Sequence, residues 1–503
     1  MTSIAEFQSS PWNKNHPSYY NSLFAVRPAP EFATGEVVLA SSIRALGFAG
    51  HGTEKVTRAG RDLESRADRR GRQSTDAAET EAAIWRTVLH QVLQSPKLAN
   101  QSKKRFLSLT PLVPDVALYS GAPRVGGIAW DPGDLIGRII RLGSSGDAEA
   151  EDLWKHFFAS VSVGSGDDVW ARWLQGQFAN RRDGSIAWSM APLPGADLLG
   201  VDLQTLTFPA KQFVLDLRSV IAVKDRMTRR QWTSLLEALL RLGVVTHVLW
   251  LCQVNDRIWR VIASMLGHGE GEYVPQNPDD VAANLLQGDV RVLSYGNVAV
   301  PVIRDQVSRY LNARLGLNLV LWALEEMGKP RITLRSSNDI YEFLKVISAS
   351  AHDLRAGGLL KKFYDLQDAE SRTLACKKGI GANMTQFAQY TLGQRQPSNT
   401  ALRGYDQGYF LHRRGVGRGA RWILSPGPVA SITMVHCCLH EVGGPRSVQR
   451  LANHLAAYGL EFDIESLGSS ELGQQLRMLG LVLDSPDAES GMLLVSPFGQ
   501  RSR

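Results

Sequence analysis

Along most of this chain apolar residues recur every three or four positions, the spacing that gathers them on one face of an α-helix. AAIWRTVLHQVLQ (82–94) aligns Ile84, Val88, Leu89 and Val92, and AEAEDLWKHFFASV (148–161) aligns Leu153, Phe157 and Val161. From about Val201 the helical text becomes dense. Thr228 can cap a helix carrying Trp232, Leu235, Leu236, Leu239 and Leu240, Gly243 can end it, and a second helix then runs from Val244 to Leu266. DQVSRYLNARLGLNLVLWALEEMG (305–328) repeats the pattern, and after Pro330 a short strand precedes a helix capped by Ser336, Ser337 or Asn338. The spacing predicts a mainly α, multi-domain helical protein with minor β. Composition shifts divide it into an N-terminal arm with a polar Arg-rich segment (1–75), a mixed α/β domain (76–195), a helical middle domain (196–330), a helical region ending in an Arg/Gly/aromatic-rich segment (331–424) and a C-terminal module (425–503).

The module has the most regular layout. Ile432, Val435, Leu439 and Val442 line a first helix stopped by Gly443, Gly444 and Pro445. Ser447 can cap a second, with Val448, Leu451, Ala452 and Leu455 inward, and Ser469 or Ser470 a third, with Leu472, Leu476 and Leu479 inward. LVLD and MLLVS then alternate as strands around the turn-like SPDAES. This order resembles the winged-helix superfamily of helix-turn-helix proteins over residues 425–498. The resemblance implies a third helix that enters the major groove and a wing on the phosphates. On this chain that helix would expose Ser470, Glu471, Gln474, Arg477 and Met478, with Gln474 and Arg477 able to reach base edges. The wing carries Asp484, Asp487 and Glu489, which repel phosphates and suit a protein-interaction surface instead.

Charge shifts attention to the segment just upstream. Over 503 residues, 56 Lys and Arg against 49 Asp and Glu leave a net +7, which permits nucleic-acid contact without demanding it. The densest basic and aromatic stretch is ALRGYDQGYFLHRRGVGRGARWIL (401–424), where Arg403, Arg413, Arg414, Arg418 and Arg421 mix with Tyr405, Tyr409, Phe410 and Trp422. Arginine beside stackable rings on a glycine-rich backbone can grip phosphates and unstacked bases. The competing reading is a β-hairpin whose arginines are simply solvated.

No catalytic constellation emerges. His436 and His440 lie one helical turn apart, but Cys437 stands where a zincin needs Glu, and no third ligand is evident. Neither a phosphate-binding loop, a G-x-S-x-G elbow nor a dinucleotide fingerprint occurs, so no cofactor or metal is expected. Asp131 and Asp134 fit a helix start. Four cysteines without a C-x-x-C pair, and an N-terminus without a basic-then-apolar leader, suit a cytoplasmic setting. The apolar run Leu242–Val254 reads as a buried helix, not a membrane span. These features fit a non-enzymatic subunit of a bacterial multi-protein system, of the phage-defence or mobile-element kind, binding DNA or RNA through Arg-rich surfaces alongside protein partners. The alternatives are a scaffold docking a partner enzyme through the winged helix, or a transcriptional regulator. The oligomeric state is left open.

Overall fold

The pattern that reads as two helices on either side of Gly243 folds as one. In the computed structural model a 37-residue helix, Arg229–Met265, runs through the middle of the protein. Gly243 does not end it because its missing side chain serves packing: a Cβ there would lie 2.2 Å from the ring of Phe213. The Thr228 cap forms as expected, with Gln231 completing a capping box.

The structure describes residues 4–26, 34–48, 50, 55–56, 58–60, 62–63, 65, 83–95, 109–120, 131–195, 208–267, 273–287, 291–394, 405–415, 419–442, 444–465, 467–485 and 491–499. Its helices are α1 (Ile4–Ser9), α2 (Pro17–Tyr20), α3 (Gly35–Gly47), α4 (Pro132–Gly143), α5 (Asp147–Val161), α6 (Val169–Ala179), α7 (Pro209–Ala222), α8 (Arg229–Met265), α9 (Pro278–Val281), α10 (Ala299–Glu326), α11 (Ser337–Ala356), α12 (Leu359–Ala369), α13 (Ser371–Leu374), α14 (Gly379–Thr391), α15 (Pro428–Leu439), α16 (Gln449–Ala456) and α17 (Glu471–Met478). The strands are short: β1 (Leu293–Ser294), β2 (Leu411–Arg414), β3 (Arg421–Leu424), β4 (Arg446–Ser447), β5 (Leu460–Glu461), β6 (Val482–Asp484) and β7 (Met492–Leu494). The protein is mainly α with minor β.

Helix α8 packs along α10, α7, α15 and α3. At the crossing with α10, a Cβ on Gly316 would fall 2.4 Å from the Trp259 ring, so this pair too approaches through a glycine. Helix α8 is long and apolar enough to cross a membrane, but 94% of its most apolar window is buried inside the protein. One hydrophobic cluster extends from Ile4 to Leu494, continuous through the positions where the composition shifts. A smaller cluster gathers Phe48, Trp85, Leu89, Val113, Leu174 and Phe178. The aromatic N-terminal arm docks on the body: the Arg314 guanidinium of α10 donates to the Trp12 carbonyl at 2.8 Å, His16 N donates to Asn318 Oδ1 at 2.8 Å, and Tyr19 OH to Asn255 Oδ1 at 2.9 Å.

Three small sheets decorate the helices. β1 pairs parallel with β5, β2 pairs antiparallel with β3, and β4, β7 and β6 form an antiparallel sheet in that order. The last contains a strand that the pattern did not suggest. Arg446–Ser447 is β4, so Ser447 does not cap α16 as expected: Val448 holds the N-cap position without a side-chain cap bond, and Ser447 Oγ accepts from Gln449 N at 3.2 Å from within the strand. Ser336, Ser470 and Asp131 cap α11, α17 and α4.

A buried charge fixes the base of the β2–β3 hairpin to α8. Arg241, 1% exposed, meets the Asp406 carboxylate in a bidentate pair at 2.8 and 2.9 Å. Its Nε also donates to the Thr391 carbonyl at 2.6 Å. Burial opposes the guanidinium charge, but Asp406, with help from Glu237, outweighs it and holds the pKa above its ordinary value. Removing the carboxylate would strand a buried cation, so Asp406→Ala is expected to lose about 3–5 kcal/mol in urea denaturation. Asp305→Ala, which breaks an exposed pair with Arg309, should stay within about 1 kcal/mol of the parent. Equal losses in the two variants would refute the anchoring role of Asp406.

Candidate nucleic-acid interface

The hairpin is built from a buried end and a polar end. Leu411 pairs with Leu424 at the base, where both are buried beside Phe410. Phe410 N and Leu411 N both donate to the Leu392 carbonyl at the end of α14, at 2.8 and 2.9 Å. On its other edge β3 meets the lead-in to α10: Gly296 N donates to Leu424 O at 2.9 Å, Leu424 N donates to Asn297 O at 3.1 Å, and Val298 bridges Ile423. At Ile423 and Leu424 the strand is therefore held on both edges.

Toward its tip the register sets Arg413 opposite Trp422 and Arg414 opposite Arg421. Because side chains alternate along a strand, these pairs occupy opposite faces. Arg413, Arg414 and Arg421 are exposed. Neither Arg414 nor Arg421 forms an ion pair with a described residue. Arg403 and Arg418 lie outside the described residues. Beside the hairpin an open groove of about 510 Å³ is lined by Val298, Val300, Pro301, Gln394, Ala420, Arg421 and Trp422.

The C-terminal region sits next to this ribbon through Tyr295, which bridges Leu424 and whose OH accepts from Leu472 N, the second residue of α17, at 2.9 Å. On α17, Gln474 is exposed. Arg477 and Asp484, expected on separate DNA-facing and protein-facing surfaces, instead bind each other, Nε to the carboxylate at 3.0 and 3.3 Å, while Nη1 donates to the Gly468 carbonyl at 2.8 Å. Asp487 and Glu489 lie outside the described residues. Sequence reasoning missed Gln475, whose Nε2 donates to Pro426 O at 3.1 Å and Ser431 Oγ at 2.8 Å and so ties α17 to α15. Nothing in the periodicity marked it, because it sits at the edge of the buried stripe.

The histidine and cysteine cluster of α15 faces inward. His436 Nε2 lies 3.1 Å from the Ser219 carbonyl of α7, and the His440 ring packs against its edge. Burial, helped by neighbouring positive charge, pushes the His436 pKa down to about 4, and burial raises Cys437 well above its ordinary range and Cys438 to about 12. These are poor conditions for a thiolate nucleophile or ligand. Among the described residues no group of three or more His, Cys, Asp or Glu side chains converges as a metal site.

Asp216 of α7, 1% exposed, is the centre of a buried network the sequence did not reveal. It accepts from Gln212 Nε2 at 2.9 Å and Tyr458 OH at 2.8 Å, and lies 2.9 Å from His454 Nε2. Two of these partners, His454 and Tyr458, lie some 240 positions along the chain, on and beyond α16. With every partner turned into protein, the network fastens α16 to α7. No protein-family model matches the chain, and no curated protein matches it, so no family is assigned.

The buried histidines set a pH dependence. His436, at about 4, and His247, which burial pushes down to about 3, hold folded-state pKa values below the ordinary 6.5. The unfolded chain therefore binds more protons between about pH 6.5 and 4, and these sites lose stability as pH falls through that window. Thermal melts should drop from pH 7 to 4.5, and His436→Gln should flatten the drop by up to about 1.4 kcal/mol per pH unit. An unchanged pH profile in the variant would contradict the buried, neutral assignment.

Proposed function

We propose that this chain is a non-enzymatic, nucleic-acid-binding subunit of a bacterial multi-protein system, of the defence or mobile-element kind, and that it grips DNA or RNA phosphates through the β2–β3 hairpin. The observation that carries this reading is the placement of Arg414 directly opposite Arg421 at the exposed end of a ribbon pinned on both edges. Like charges directly opposite each other across two strands destabilise a sheet. A phosphate between them turns that repulsion into two charge-assisted contacts. Arginines kept merely for solubility need no such register.

A second reading concerns the C-terminal region. Its three helices with β4 after the first and β6 and β7 after the third, and the β4–β7–β6 sheet, support a winged helix, while β5 between the second and third helices pairs outside the region with β1. Its outer face favours a protein over DNA: Arg477 is held by Asp484, while Met478 is 81% and Leu483 54% exposed. In this reading the hairpin contacts the nucleic acid and the winged-helix face contacts a partner subunit.

Binding of labelled DNA and RNA by fluorescence anisotropy across a salt series tests the first reading. Each lost phosphate contact lowers the slope of log K against log salt by about 0.7–0.9, so Arg414→Glu with Arg421→Glu should lower it by about 1.4–1.8. Wild-type protein with no salt-sensitive affinity for either nucleic acid would sink the proposal. For the second, Met478→Asp with Leu483→Asp should abolish recovery of co-purifying subunits and leave nucleic-acid affinity in place. Loss of nucleic-acid affinity instead would make this face the reader.

A further inference from the structure

The hairpin offers more than charge. The groove at its side combines an aromatic ring, a guanidinium, an amide and an aliphatic wall in about 510 Å³, within the range of roughly 300–1,000 Å³ typical of small-ligand pockets. Resting on the nucleic-acid reading above, we propose that this groove seats one unstacked base of a single strand, so that the protein prefers single-stranded over duplex nucleic acid.

Trp422 supplies the stacking face. It is half-buried and packed against the hydrophobic core, and β3 is bonded on both edges, so the ring is already held before ligand arrives. Pre-ordered aromatic surface binds at low entropic cost, and every base has a π-face, so stacking of this kind tolerates sequence. Val298, Val300 and Pro301, at and just past the start of α10, supply an apolar wall for the base.

Gln394 adds a polar edge. Its backbone N donates to Gln389 O at 2.9 Å, while its buried side-chain Oε1 has no hydrogen-bond partner among the described residues. Turning that amide toward a ligand therefore breaks no bond at the oxygen, and a base N–H gives a buried acceptor the partner it lacks. The Watson–Crick N–H groups are free only when a base is unpaired. Arg421 lines the same groove and places one cation beside a seated base for a flanking phosphate. A duplex keeps its bases stacked and paired, and only its phosphates could engage the hairpin.

Competition anisotropy with the full chain separates base from phosphate contacts. The probes are a labelled 15-mer single strand, the same strand with its central residues made abasic, and the matching duplex. Base stacking of this kind changes affinity by roughly 5- to 150-fold. The normal strand should bind that much more tightly than the abasic strand, and more tightly than the duplex. Trp422→Leu should erase the difference between normal and abasic strands while keeping the salt dependence. Gln394→Leu should reduce the difference in part.

Equal affinity of wild-type protein for normal and abasic strands, or for single strand and duplex, with salt dependence retained, would overturn the base-seating groove and leave the phosphate-binding hairpin standing. Absence of all binding would remove both. The abasic comparison needs no variant, so a Trp422→Leu protein that failed to fold would not rescue the proposal.

Discussion

The bidentate pair between Arg241 and Asp406 is the constraint on which the candidate interface depends. A guanidinium midway along a buried helix is unfavourable unless a carboxylate reaches it. Here that carboxylate comes from the segment leading into the hairpin, and the Thr391 carbonyl at the end of α14 takes the remaining Nε proton. Helix α8, the α14 terminus and the hairpin base thus share one charge. Gly393 and Gly408 sit against the same guanidinium, with ideal Cβ positions 3.0 and 3.5 Å from its nitrogens, so the backbone closes tightly over the ion pair. A well-packed apolar substitute could match its stability, but it would not hold the approaching strand in one register.

Close helix packing supplies the rest of the rigidity. Gly243 admits Phe213 and Gly316 faces Trp259, so α7 and α10 both approach α8 where a larger residue would hold them off. The helical periodicity was mostly legible in the sequence, as were the caps at Thr228, Ser336 and Ser470, but Ile84, aligned with a buried face, is 54% exposed, and the strand expected after Pro330 does not form. The continuity of α8 was not. A glycine between two apolar stretches carries the same letters whether it ends a helix or receives a neighbour's ring, and only the position of Phe213 decides between them. The two-residue strands β1, β4 and β5 were equally invisible, because an alternating pattern needs more than two positions to show itself.

The candidate interface was legible in composition and illegible in geometry. The arginine and aromatic richness of 401–424 identified the segment, and a hairpin was one of its two readings. Its register was not available, and the register is what opposes Arg414 to Arg421 and Arg413 to Trp422. In the C-terminal region, Arg477 and Asp484 read as members of opposed surfaces because they belong to different elements. A tight connection from α17 to β6 brings them within 3.0 Å, and each removes the other's charge from the face it was expected to supply. The Asp216 network was hidden for a different reason: His454 and Tyr458 stand more than two hundred positions from the carboxylate they meet.

These pairings redistribute charge in a way the net +7 conceals. Arg241 and Arg229 lie in the interior on carboxylates, and Arg477 is matched at the surface by Asp484. Arg414 and Arg421 have no such match among the described residues and stand beyond the Ile423 and Leu424 positions at which β3 is bonded on both edges. Surface potential falls off over about 8 Å at physiological salt, so the field that an approaching polyanion meets is set by nearby unmatched cations and not by the total. The hairpin tip concentrates such cations, whereas the α17 face replaces them with Met478 and a closed ion pair. Phosphate and protein would therefore be drawn to different sides of Tyr295, the residue that joins the two surfaces.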